Sequence, residues 1–295
     1  MPTVEPKRRF NRIGWGFVLM VIAQQGGGGV LYWAAPLLWP ALAGNSWFFL
    51  SVNFLALCLL GLPLLAYILL GLPDLEAPEK ARVRGGHFAL LALVSMPALF
   101  ALSAASDWLG KTIGELKGGE VQNPLDALVG DASPWALLLF VVIIAPLAEE
   151  YIFRGLLYKK LAGYGAKTYI LVSALLFALY HANLYQMFYA FALGLPLAWL
   201  TYASGNIRAS VALHLLINLI GSGLPLLPTT AYYAAAGLLC AGGVLAGVVL
   251  ASRRGALPMP LGACEAPRGR EVFGNAGMIA LLLVLGGLTV LVAMV

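Results

Sequence analysis

The chain has 295 residues, 61% hydrophobic and 11% charged, with a mean hydropathy of +0.88 and a formal net charge of +5. A composition this apolar excludes a soluble globular domain and an intrinsically disordered chain, and it predicts a polytopic membrane protein. The positive charge does not point to a nucleic-acid partner, because the basic residues sit in short stretches between apolar runs, where they set membrane topology.

A spanning helix needs about 20 apolar residues. On that template nine segments are expected, near residues 13–34, 46–71, 87–107, 133–158, 168–183, 186–203, 208–224, 230–251 and 275–294. They predict an all-α transmembrane helix bundle in a single integral-membrane domain, with a chemical core at about 134–221 and accessory helices over 13–107 and 230–294. Lys7, Arg8, Arg9 and Arg12 precede the first apolar run, but no small-residue cleavage site follows, so no signal peptide is expected. Gly26–Gly29 in that run permit close helix approach, and with no strand before them they do not read as a cofactor loop.

Placing the N-terminus in the cytoplasm puts all 18 Lys and Arg on that side except Lys111, Lys117 and the intramembrane Arg154. The predicted orientation is therefore N-in, C-out. Residues 107–132 then form one sizeable extracytoplasmic loop. Its acidic residues (Asp107, Glu115, Glu120, Asp126, Asp131), with Leu109, Ile113 and Leu116, predict a short helix on the membrane surface. Residues 252–274, with Pro258, Pro260 and Pro267, read as flexible cytoplasmic chain. Cys58, Cys240 and Cys264 form no C-x-x-C, which supports neither a disulfide framework nor a thiolate zinc site.

The fourth segment, WALLLFVVIIAPLAEEYIFRGLLYKK from Trp135 to Lys160, carries the chemistry. Glu149, Glu150 and Arg154 lie in its helical pattern, and an acidic or basic side chain at membrane depth costs about 2.5–3.5 kcal/mol even on lenient insertion scales. Glu150 and Arg154, at i and i+4, can neutralise each other. Adjacent helical residues point about 100° apart, so with Glu150 turned to Arg154, Glu149 is expected to face elsewhere. Of the three histidines, His87 borders a basic loop and reads as an ordinary surface residue, while His181 and His214 lie in apolar helices. Asn218 follows His214 by one helical turn, on the same face.

These residues permit acid–base chemistry. A desolvated carboxylate is a competent general base near neutral pH. His181 can hold the same water and protonate a leaving amine, and His214 with Asn218 can donate to a developing oxyanion. Buried Glu and His also build proton relays, so a proton-coupled transporter or channel is an alternative. A non-enzymatic immunity or scaffold protein is another.

In order and spacing, E-E-x-x-x-R (Glu149, Glu150, Arg154), F-x-x-x-H (Phe177, His181) and H-x-x-x-N (His214, Asn218) resemble the motifs of the CAAX-protease and bacteriocin-processing (Abi-type) intramembrane peptidases. The stretch FALGLPLAWLTYASGNIRASVALH resembles bacterial members, which implies a prokaryotic plasma membrane. The resemblance implies an endopeptidase acting on a membrane-associated peptide or protein tail. It implies that Glu149 and His181 activate water, that Glu150 and Arg154 buttress the site, and that His214 and Asn218 bind the oxyanion.

A catalytic zinc takes three protein ligands. Asn is a poor one, Glu150 has Arg154, and with Glu149 as base only two histidines remain. No cofactor is therefore expected, the alternative being zinc on Glu149, His181 and His214. One mismatch stands out. Counted along their helices at 1.5 Å per residue, Glu149 comes out within about 15 Å of its helix end but His181 about 20 Å from its own.

Overall fold

The computed structural model describes residues 4–121, 123, 132–253 and 257–294. Among these, every regular element is helical. Eight helices are long and apolar enough to cross a membrane: α1 (Pro6–Leu38), α2 (Ser46–Leu70), α3 (Gly85–Lys117), α4 (Pro134–Tyr164), α6 (Leu184–Ser204), α7 (Arg208–Leu226), α8 (Thr229–Ser252) and α9 (Ala276–Met294). The remaining expected segment is the shorter apolar helix α5 (Ala166–Tyr180). The chain is a multi-pass helical membrane protein.

Three expectations change. Leu109, Ile113 and Leu116 belong to the last turns of α3, which stops only at the left-handed Gly118 (φ 72°), so there is no separate surface helix among the described residues. Asp126 and Asp131 lie outside the described residues, as does Arg254. Second, the Pro-rich stretch after α8 is docked rather than flexible. Outside a helix its carbonyls need other donors, and Trp199 Nε1 donates to Pro258 O (3.1 Å) while the Tyr202 hydroxyl donates to Pro260 O (2.8 Å). The Cys264 amide donates to Gly163 O at 2.8 Å. Third, His87 does structural work: its Nδ1 accepts from the Arg84 amide (3.3 Å) at the start of α3, and its ring meets Trp199 edge-on at 5.9 Å.

By internal contacts the chain divides into two compact units: Met1–Asp74, Pro124–Ala148 and Pro267–Gly287 in the first, Leu75–Asn123, Glu149–Ala266 and Leu288–Val295 in the second. In the first unit, Arg12 ties α1 to the end of α2, its Nε donating to Ile68 O and its Nη1 to Gly71 O, both at 3.0 Å. Trp47 and Phe54 pack edge-on against Phe140.

The second unit contains all the candidate site residues, and its centre is an antiparallel hairpin of α4 and α5. Gly165 turns the hairpin with φ 95° and ψ 166°, a conformation open to glycine alone. Residues on either side of it then meet in mirror register: Tyr158 against Tyr169 and Phe153 against Phe177, each with ring centroids 5.4 Å apart. This register removes the mismatch noted above. Because α4 continues to Tyr164 instead of stopping near residue 158, Glu149 and His181 both lie about 20 Å along their helices from the same turn.

The α5–α6 corner is equally tight. His181 closes α5, Ala182 takes a left-handed φ of 46°, and Asn183 Oδ1 accepts the Tyr185 amide at 3.0 Å to start α6. Along the two helices the backbones approach closely, since a Cβ on Gly194 would lie 2.9 Å from Ala174 Cα.

Candidate active site

Glu149 and Glu150 end a single α-helical turn, Ala145–Glu150, between two π-helical stretches, Leu137–Ile144 and Tyr151–Leu156. π-Helical turns are rare and concentrate at functional sites. Glu150 is fully buried, and so is Arg154. Arg154 Nη1 donates to Glu150 Oε1 at 3.0 Å, so the i,i+4 pair forms. The other guanidinium arm donates to Gly194 O at 3.2 Å, and the plane lies 4.5 Å from the Phe177 ring centroid. A buried guanidinium is tolerated because carboxylate, carbonyl and ring together replace its lost hydration.

His214 comes from α7 and lies between the two glutamates. Its Nδ1 is 3.0 Å from Glu150 Oε1, and its Nε2 is 3.6 Å from Glu149 Oε2. The expectation that Glu149 faces away from the Glu150 pairing is thus corrected: side chains 100° apart can straddle one imidazole, each addressing a different ring nitrogen. A carboxylate only accepts, so Nδ1 carries the proton in the shorter contact, and Nε2 is left facing Glu149. At 3.6 Å that second approach is an electrostatic contact rather than a hydrogen bond.

His181 is oriented from within its own helix. Its Nδ1 lies 2.8 Å from Phe177 O, and a carbonyl only accepts, so this nitrogen bears hydrogen and Nε2 keeps a lone pair. The Phe177 ring joins the parts: His181 meets it edge-on at 4.9 Å, His214 at 5.5 Å, Phe153 at 5.4 Å. The structure therefore brings Glu149, Glu150, Arg154, Phe177, His181 and His214 to one place. Asn218 lies half-buried one turn after His214 on α7.

Sequence reasoning missed Gly194 and Tyr169. Tyr169, Ser173, Phe177 and His181 recur every fourth residue along α5, a ridge visible in the sequence once Phe177 and His181 are singled out. Ser173 Oγ donates to Phe153 O at 2.9 Å, which fixes the hairpin register from this ridge.

The residues do not present a zinc site. Among the described residues no three His, Cys, Asp or Glu side chains gather as a ligand set. His214 Nδ1 is taken by Glu150 and His181 Nδ1 by the Phe177 carbonyl.

Residues 131–220 match the family described as type II CAAX prenyl endopeptidase Rce1-like. No curated protein and no solved structure matches the chain. The matched segment spans α4 to α7 and contains each residue of the cluster around Phe177, together with Asn218.

Proposed function

From the membership of residues 131–220 in the CAAX prenyl endopeptidase family, we propose that this protein is an intramembrane endopeptidase working by glutamate- and histidine-activated water. Its substrate is a membrane-associated peptide or protein tail. The observation that carries the reading is the convergence of Glu149, Glu150, His181 and His214 around Phe177 inside the matched segment.

Glu149, the less buried carboxylate, takes a proton from water while His181 Nε2 accepts the water's second hydrogen bond. The resulting hydroxide adds to the peptide carbonyl. The oxyanion is met by donors from α7, His214 and Asn218, and preorganised donors of this kind give the largest single term in acyl transfer. Glu149 then passes its proton to the leaving amine as the C–N bond breaks. Glu150 and Arg154 hold no proton in transit. Arg154 keeps Glu150 charged and fixed, and Glu150 sets the tautomer of His214.

No step runs through a metal, and the absence of a three-ligand set among the described residues supports that reading. Purified protein should hold substoichiometric zinc and keep its activity through prolonged treatment with a strong chelator. Inactivation reversed by added zinc would reject it. The orientation is N-in, C-out in a prokaryotic plasma membrane, supported by the distribution of Lys and Arg. The main test is comparative peptidomics of membranes containing wild type or Glu149→Gln. Peptides that accumulate uncut only in the variant support the reading. Identical peptide sets together with pH-gradient-driven flux would favour a transporter.

A further inference from the structure

Three polar atoms beside the cluster are buried and make no hydrogen bond: Glu150 Oε2, Arg154 Nε and the Tyr169 hydroxyl. All three side chains are fully inaccessible. Tyr169 stands on the same ridge of α5 as Phe177 and His181, clamped between Tyr202 (stacked, 5.9 Å) and Tyr158 (edge-on, 5.4 Å). Both Arg154 and Glu150 lie within electrostatic range of its hydroxyl, and Ser173 adjoins it. A buried donor or acceptor left unsatisfied costs about 1–3 kcal/mol, and more when the group is charged. Three together on the residues that orient His214 call for a shared partner.

Resting on the endopeptidase reading above, we propose that Tyr169 is a positioning residue that acts through one buried water on the Glu150–Arg154 pair. The hydrogen-bond count closes with a single molecule. Arg154 Nε–H donates to the water oxygen, and the water donates one hydrogen to Glu150 Oε2 and the other to the Tyr169 oxygen. Ser173 has committed its own hydrogen to Phe153 O, so its oxygen is left to accept from the Tyr169 hydroxyl. Every atom of the set then has a partner, and the site meets the two-to-four polar contacts that buried waters require. Glu150 Oε1 is already shared by Arg154 and His214. Fixing Oε2 as well stops the carboxylate from rotating, and with it the ring of His214.

Tyr169→Phe keeps the ring packing and removes only the hydroxyl. With an internally quenched peptide bearing a farnesylated CAAX tail, or a peptide found uncut in Glu149→Gln membranes, it should lower kcat about tenfold with KM unchanged. The pH profile of kcat should also move. In a Glu150→Gln background the same change should add nothing, since the two act through one network. A structure of the wild-type protein in a lipidic phase should show one ordered solvent peak bonded to all three atoms. Direct pairing of the three without solvent, a wild-type kcat and pH profile for Tyr169→Phe, or losses that multiply with Glu150→Gln would each overturn the proposal. The solvent peak decides the matter even if Tyr169→Phe does not fold. If Glu149→Gln leaves cleavage intact, the endopeptidase reading fails instead, whatever Tyr169 does.

Discussion

α6 and α8 belong to the same compact unit, yet they use their apolarity in opposite ways. In the most apolar 18 residues of α6, 56% are buried within the protein, against 11% for α8, and α8 is the more apolar of the two. α6 supplies Gly194 O to Arg154 and opposes Ala174 backbone to backbone, whereas Tyr233, Leu238, Val244, Leu245 and Val248 of α8 point outward. In lipid, hydrophobicity marks the surface and not the core, because hydrocarbon already solvates leucine and only protein can satisfy a polar group. The helices that matter most for the chemistry are therefore among the less apolar ones.

The sharpest way to break this contrast is at the polar cluster that α6 helps to enclose. Glu149→Gln should cut turnover by at least two to three orders of magnitude at unchanged protein abundance, measured as product formed per folded molecule. Glu150→Gln should instead lower the thermal midpoint in detergent and the membrane yield, because a buried Arg154 loses its counter-charge at a cost of about 3–5 kcal/mol. Equal, purely catalytic losses for both would contradict this division. Asn218→Ala should slow turnover by about a hundredfold with KM little changed, the loss of one oxyanion donor. Near-normal turnover would make Asn218 a packing residue.

Smaller effects separate the helices themselves. Gly194→Ala forces a methyl group to within 2.9 Å of Ala174 Cα and should destabilise by about 1–3 kcal/mol, read by thermal unfolding in detergent. Gly237→Ala in α8 meets nothing within 4 Å and should be neutral or slightly stabilising. A neutral Gly194→Ala would mean the close approach of α5 and α6 is dispensable. The smallest expected change is a gain: Ala182→Gly at φ 46° relieves a left-handed alanine and should stabilise by about 1 kcal/mol.

The helices and their number were legible because twenty-residue apolar runs have few other uses. The members of the site were legible because ionisable side chains in such runs are expensive. Their mutual arrangement was not. Helical spacing places Glu150 beside Arg154, but nothing along α4 says that a residue 64 positions away inserts between the two glutamates. Gly165 held a usable clue, since a glycine between two apolar helices licenses a hairpin, and its mirror register pairs Phe153 with Phe177. The docked Pro258–Cys264 stretch was misread because proline marks an absence of helix, which says nothing about whether exposed carbonyls find donors elsewhere.

That separation of 64 residues has a consequence for biosynthesis. α4 must enter the bilayer before α7 has been made, so Glu150 and Arg154 first meet lipid without His214. Because they stand four residues apart, the helix inserts with its own counter-ion in place and needs no later segment to neutralise it. Folding of α5 back across Gly165 then delivers Phe177 and His181. Only the emergence of α7 brings the imidazole that bridges both carboxylates, so a nascent chain passes through the membrane machinery with its charges paired and its site unfinished.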